Sequence, residues 1–165
     1  MIFLRPERPE DVDAIRMLTE TAFKTAPHAD GTEHIIIDRL RAAGALTLSL
    51  VMEADGAIVG HVAFSPVTVS DGSTDWYGLG PISVDPARQG EGIGGRLIGE
   101  GLQRLKALGA AGCVLLGDPA YYSRFGFVAD PKLTLDGVPP EYFMRVAFSP
   151  VYGGGTVSYH PGFYG

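Results

Sequence analysis

Cysteine is nearly absent from this chain, and that already narrows its chemistry. A single one, Cys113, stands among 165 residues. No internal disulfide can form, and no C-x-x-C pair exists to bind metal or run thiol exchange. Cys113 falls in the apolar run GCVLLG, which reads as a buried strand and makes the thiol an inert core group. The histidines at 28, 34, 61 and 160 are scattered without ligand spacing, so no metal is expected. No uninterrupted apolar run reaches the roughly 18 residues of a membrane span. The opening MIFLRPERPED is quickly charged and broken by proline, unlike a secretory signal, so a cytoplasmic protein is expected. Basic residues are also short, 13 against 19 acidic ones, for a formal net charge of -6. That excess argues against nucleic acid and anionic membranes as partners, both of which want a cationic face.

What is present is ordinary for a globular protein: 45% apolar and 19% charged residues, with no repeat, low-complexity tract or linker. The length predicts one domain, residues 1–165. A first edge strand is expected over 2–6. PEDVDAIRMLTETAF predicts a helix with proline and acids in its first turn and Val12, Ile15 and Leu18 on one face. A second helix is expected from near Thr32, with Ile36, Leu40 and Ala43 as its stripe and Gly44 as its cap. Two strands joined at Asp55-Gly56 follow, then a fourth, WYGLGPISV. A long helix is expected to about Leu108, its buried face built from Ile93, Leu97, Ile98, Leu102 and Leu105. GCVLLG is a fifth strand, PAYYSRF a short helix capped by Asp118, and YFMRVAFS and GTVSYHPGF further strands. This order implies an α/β (α+β) fold, a mixed sheet with helices on both faces.

The clearest local signal is RQGEGIGGRL, residues 88–97, where four glycines fall within six residues. Glycine at this density brings backbone close to a ligand, commonly phosphate. A P-loop would need Lys and Ser or Thr after the last glycine, whereas Gly94 is followed by Gly95-Arg96-Leu97. Gly90, Gly92 and Gly95 satisfy G-x-G-x-x-G literally, with Asp118 where a ribose-binding acid would sit. Against a dinucleotide fold, DPARQ intervenes after Val84, and only 47 residues follow Asp118. The better frame is V-D-P-x-R-Q-G-x-G-I-G, anchored on Gln89, Gly92 and Gly94. Successive N–H groups at a helix start form an anion nest, and the helix dipole adds partial positive charge. Arg88 or Arg96 would add more.

That frame resembles the Q/R-x-x-G-x-G/A signature of the GNAT superfamily, the acyl-CoA-dependent N-acyltransferases. GPISVDP resembles the strand that splays from its parallel neighbour in that family. AYYSRFGFV resembles its Y-x-x-x-G-F ending, and GDPAYYSRFGF with GVPPEYFMRVAF is similar to a bacterial branch of predicted N-acetyltransferases. The resemblance covers about residues 60 to 128. It implies a mostly antiparallel sheet of about six or seven strands with splayed central parallel strands. It further implies acetyl-CoA as co-substrate and transfer to a primary amine of a small molecule or peptide in a ternary complex. The cofactor contacts it implies are Ile82, Ser83 and Val84 from the strand, Arg88 to Arg96 throughout (Gln89, Gly90, Glu91, Gly92, Ile93, Gly94 and Gly95 between them), and Asp118, Tyr122 and Phe125 beyond. One departure stands out: the family's usual asparagine seven residues before the tyrosine is Leu115 here.

Acyl transfer to an amine needs a base, a polarised carbonyl and an acid for the departing thiolate. Tyr122 aligns with the acid, with Tyr121 expected to face elsewhere on its helix, and a backbone N–H near Val84 with the oxyanion donor. The base is open. WYGLGPISV holds no carboxylate, and Asp85 before Pro86 shapes a turn. Glu33 at a helix start and His61 on an inner strand are base or acceptor-site candidates, against the readings of solvated carboxylate and core histidine; a water-relayed base needs neither. The aromatic residues Tyr142, Phe143, Tyr152, Tyr159 and Phe163 line the acceptor side, make a homodimer contact, or simply pack. An acyl-CoA-binding or sensory domain without turnover is the alternative function.

Overall fold

The computed structural model describes residues 1–26 and 29–164; His28 lies outside them. The chain opens with the edge strand β1 (Ile2–Pro6), a 3-10 turn at Pro9–Asp11, and helix α1 (Val12–Phe23). Proline and acids do begin this helix, and Ile15 and Leu18 are buried on its inner face. In α2 (Glu33–Ala42) the buried pair is Ile37 and Leu40, while Ala43 is exposed. Three successive isoleucines leave the helical phase ambiguous in sequence. Packing settles it, because Ile37 meets Ile15 and the strand residue Val51.

Strands β2 (Leu48–Ala54) and β3 (Ala57–Pro66) form the expected hairpin, with Asp55 and Gly56 both at positive φ, 50° and 84°. Those angles match the turn that suits the right-handed twist of paired strands. A two-residue strand β4 (Thr68–Val69) precedes β5 (Trp76–Val84), so WYGLGPISV is the fifth strand in chain order. Then come α3 (Ile93–Ala107), β6 (Gly112–Leu116), α4 (Pro119–Tyr122), the short strands β7 (Val128–Ala129) and β8 (Leu133–Thr134), β9 (Phe143–Ala147) and β10 (Gly155–Ser158). Seven strands make the main sheet in the order β1-β2-β3-β5-β6-β9-β7, antiparallel throughout except for β5 and β6. The mixed sheet expected from the element order, mostly antiparallel as the family resemblance implies, is therefore present. The C-terminal GTVSYHPGF does not join it: β10 pairs with β4 and β8 in a separate three-stranded sheet. Strands of two residues carry no readable alternation, which is why β4, β7 and β8 escape a sequence reading.

The parallel pair is short. Trp76, Tyr77 and Gly78 face Gly112, Cys113 and Val114, and pairing stops there. Just beyond, β5 bulges: Val62 faces Ile82 and Phe64 faces Leu79, so Ala63 is opposed by both Gly80 and Pro81. An extra residue bends its strand and ends regular pairing. The second half of β5 swings away from β6 and leaves a wedge-shaped opening in the sheet.

Helix α3 covers one side of the sheet, with Ile93, Leu97, Ile98, Leu102 and Leu105 buried as the periodicity predicts. Two glycines let it come close. A Cβ on Gly60 would meet Ile93 Cγ2 at 2.6 Å, and one on Gly101 would meet the Phe64 ring at 2.3 Å. The helix and sheet therefore interlock at both ends of their contact, which sets where the N-terminus of α3 points. On the other side, α1 and α2 pack over Ile15, Ile37 and Val51. A third cluster, around Trp76, Val114 and Phe143, joins the two sheets.

Gly101→Ala tests this interlock. Alanine gains about 1 kcal/mol of helix propensity over glycine, yet Phe64 is fully buried and has nowhere to turn. The variant is expected to lose about 1–3 kcal/mol of stability in urea unfolding; an unchanged or raised midpoint would show that the helix does not depend on this close approach.

Candidate active site

Where β5 leaves β6, a cleft of about 710 Å³ opens between the end of α1, the end of β5, the start of α3 and the α4 segment. Ile82, Ser83 and Val84 form its strand wall. The glycine-rich loop and helix start contribute Arg88, Gln89, Gly90, Gly92, Ile93, Gly94 and Gly95. Tyr122 and Phe125 close it from the opposite side. The residues expected to contact the cofactor thus converge, with three exceptions. Glu91 faces outward and reaches Arg88 at 3.4 Å, Arg96 is exposed on the outer face of α3, and Asp118 accepts the Ala120 N–H at 2.9 Å as a helix cap. None of the three lines the cleft.

The loop has the geometry of an anion nest. Gly90 and Gly92 take positive φ, 85° and 82°, which few side chains tolerate. From Gln89 to Gly95 the backbone N–H groups have no acceptor among the described residues, and Gly92 as N-cap supplies no side chain to satisfy the helix start. Unsatisfied amides at a helix N-terminus are a ready site for a phosphate oxygen. A Cβ at Gly92 would meet nothing within 4 Å, so this backbone faces open cleft. The strand wall is similarly free. The Asp85 N–H donates to Val59 O on β3, so by strand alternation those of Val84 and Ile82 point the other way, toward the opening.

Tyr122 sits on the helical turn that Asp118 and Pro119 start. Its ring packs near Phe127, with centroids 6.2 Å apart, and lies against Gly117, where a Cβ would meet it at 2.4 Å. Burial, reinforced by the neighbouring Tyr121, raises its pKa above the ordinary phenol value, so it stays protonated at neutral pH. Tyr121 also lines the cleft, contrary to the expectation that it faces elsewhere, and its hydroxyl lies 3.5 Å from where a Gly94 Cβ would stand. The helix is a single turn, so adjacent residues both border the same opening. Arg124 lines the cleft too, its guanidinium 4.6 Å above the Tyr121 ring. The cations that line the cleft are Arg88 and Arg124, and Arg96 is not among the lining residues. Ala22, Phe23 and Ala26 complete the wall; Ala22 extends the Ile15–Leu18 stripe by one turn, the one signal that would have found it.

The two base candidates lie outside this cleft. Glu33 begins α2 and lines a neighbouring depression with Glu20, Asp30 and His34, separated from the cleft by Phe23, which borders both. One of its oxygens accepts the Asp30 N–H at 3.3 Å; the other is buried without a partner among the described residues. His61 is fully buried beneath α1, with Nε2 2.7 Å from Ser49 Oγ. Burial lowers its pKa to about 4, and the positive charge of Arg41 adds to this while Glu7 opposes it. Cys113 is an inert core thiol, its pKa pushed up by burial. Of the five C-terminal aromatics named above, Tyr152 edges onto Trp76 at 5.7 Å, Tyr159 lies tilted against Phe163 at 5.0 Å, Phe143 is buried and Tyr142 is exposed. Among the described residues no group of three or more potential ligands is placed to hold a metal ion, and no helix is long and apolar enough to cross a membrane.

The buried imidazole has a consequence for stability. Its folded pKa of about 4 lies below the unfolded value near 6.5. The unfolded chain therefore binds more protons between those values, and stability falls as pH drops through that window. Between pH 7 and pH 5 the expected loss from this residue is about 2 kcal/mol. Urea unfolding of wild type and His61→Gln at both pH values checks it: the variant is expected to lose less, and equal losses would contradict the assignment.

Comparison with known proteins agrees with this geometry. The sequence profile of the acetyltransferase (GNAT) family matches residues 12–127. The uncharacterised N-acetyltransferase YhbS of Escherichia coli (strain K12) is 41% identical over 127 residues, 76% of this chain and 73% of that protein. A GNAT family acetyltransferase from Brucella melitensis, solved in complex with acetyl-CoA, superposes with a TM-score of 0.89 at 52% identity, covering 99% of this chain and 98% of the other. The structure of YhbS from Escherichia coli in complex with CoA gives a TM-score of 0.91 at 35% identity, covering 99% and 92%. With its splayed parallel strands, its amide nest and a family profile spanning most of its length, the chain belongs to the GNAT family of acetyltransferases.

Proposed function

We propose that residues 1–165 act as one acetyltransferase domain that moves the acetyl group of acetyl-CoA to a primary amine of a small molecule or peptide, by direct transfer in a ternary complex. The observation that carries this reading is the meeting, in one cleft, of free backbone amides at residues 89–95, the open edge of β5 and the half-buried phenol of Tyr122. Acetyl-CoA supplies an activated thioester. The residues fit it: the nest and its flanking Arg88 and Arg124 suit a pyrophosphate, and the Ile82 and Val84 amides suit an extended amide-bearing arm. The chemistry then falls to this chain. An N–H at the end of β5 stabilises charge developing on the carbonyl oxygen. Tyr122, kept protonated by burial, gives its proton to the departing thiolate. Glu33, with Glu20 and Asp30 around the adjoining depression, favours an acceptor that carries positive charge. The absence of a carboxylate on β5 favours the second reading, an acyl-CoA-binding domain without turnover.

Two variants separate these roles. Gly92→Val places a branched side chain at positive φ facing the nest and is expected to weaken CoA binding at least tenfold by calorimetry; undiminished binding would remove the nest as the phosphate site. Tyr122→Phe is expected to keep CoA affinity while lowering kcat by roughly 10²-fold or more, measured as thiol release from acetyl-CoA with a panel of primary amines. Unchanged kcat would remove Tyr122 as the acid, and wild type that releases no thiol with any amine of the panel would favour the binding-domain reading.

A further inference from the structure

The α1–α2 side of the sheet carries a chain of polar groups that the cleft chemistry leaves unused. Ser49 on β2 hydrogen-bonds through Oγ both to a carboxylate oxygen of Glu7 and, at 2.7 Å, to His61 Nε2 on β3. Glu7 is paired with Arg41 on α2 at 2.9 Å and sits at the mouth of a surface depression with Ser49. Burial alone would raise the Glu7 pKa, but the hydrogen bonds from Arg41 and Ser49, with the charge of Arg41, hold it below the usual range. An ionised carboxylate only accepts. The single hydroxyl proton of Ser49 therefore goes to Glu7, and Ser49 Oγ must accept from His61. That selects the Nε2–H tautomer and leaves Nδ1 with a bare lone pair. Nδ1 is itself buried without a partner among the described residues. Directly across from His61 on β5 stands Ser83, on the same face of the sheet; it borders the cleft, and its hydroxyl donates to Thr19 Oγ1 at 3.4 Å and not to Nδ1.

We propose that Ser83, His61, Ser49 and Glu7 form a proton exit that carries the acceptor amine's proton from the cleft, through the sheet, to the surface beside Arg41. The proposal rests on the acetyltransferase reading and supplies the base that β5 lacks. When the amine nitrogen bonds the acetyl carbon, its N–H bond breaks and the proton passes to Ser83 Oγ, which turns from Thr19 and gives its own proton to Nδ1. The Nε2 proton moves to Ser49 Oγ, the Ser49 proton moves to Glu7, and Glu7 releases it to solvent. No net charge stays in the core. The lowered His61 pKa suits this role, since the imidazolium is passed through and never stored.

The test uses the full chain as wild type, Ser49→Ala and Ser49→Thr, assayed with acetyl-CoA and a panel of primary amines comprising spermidine, lysine and a peptide with a free N-terminus. Ser49→Ala is expected to lower kcat roughly tenfold to a hundredfold without changing the KM for acetyl-CoA, and Ser49→Thr, which restores the hydroxyl, is expected to recover it. Nitrogen-15 NMR of the wild-type protein, with the His61 signals identified by their loss in His61→Gln, is expected to show protonated Nε2 and bare Nδ1. Unchanged kcat in Ser49→Ala, or a proton on Nδ1, would overturn the exit while leaving the acetyltransferase reading in place. Wild type that acetylates none of these amines would overturn both.

Discussion

Parallel pairing between β5 and β6 lasts for three residues, and the cleft exists because it stops there. Beyond Gly78 the two strands no longer share hydrogen bonds, since the Gly80–Pro81 bulge turns β5 aside. A closed sheet would have used the outward N–H groups of Ile82 and Val84 for its own ladder. Parting the strands leaves them free within an otherwise well-packed protein, at the point where helix α3 begins. Buried backbone donors are seldom left unpaired, so an opening lined by them is built for something that accepts hydrogen bonds.

The two sides of the sheet serve this opening differently. On the α3 side, apolar packing acts as a positioning device. Gly60 and Gly101 let the helix and sheet interlock, so the amides at residues 89–95 are held at one place relative to Val84. Tyr122 is fixed in the same manner, its ring seated on Gly117 and near Phe127. On the α1–α2 side, the core admits polar groups: Thr19, Ser49, His61, Ser65 and Ser83 are all buried. Such groups are costly unless paired. Most find partners in one another, in Glu7 or in the backbone, while His61 Nδ1 and Ser65 Oγ find none among the described residues. The hydrogen-bonded run from His61 through Ser49 and Glu7 ends at the surface ion pair with Arg41, and Ser83 stands across from its inner end.

Much of the cleft was legible in the chain because it is made of local signals. A nest is a property of consecutive backbone units, so RQGEGIGGRL announces it without any tertiary information. Tyr122 and Phe125 were found through a motif lying on a single turn. What was missed came from elsewhere in the sequence. Phe23 and Ala26 border the cleft only because α1 ends there, and Arg124 joins Arg88 in lining it while Arg96 is exposed on α3. Tyr121 was misassigned by treating one helical turn as if it had a buried and an exposed face.

By itself the sequence determined the order of the long elements, the buried face of α3, the Asp55-Gly56 turn and the phosphate-type loop. Each depends on periodicity or on backbone preference within a few residues. Only the tertiary structure decided which way α2 faces, where β10 pairs, and that Ser49 joins Glu7 to His61 with Ser83 across from His61. Those four come from β1, β2, β3 and β5 and their flanks, and their placement is a matter of strand register. Register is a relation between distant segments, set by the hairpin turn, the bulge and the packing of both faces, and no single stretch of the chain contains it.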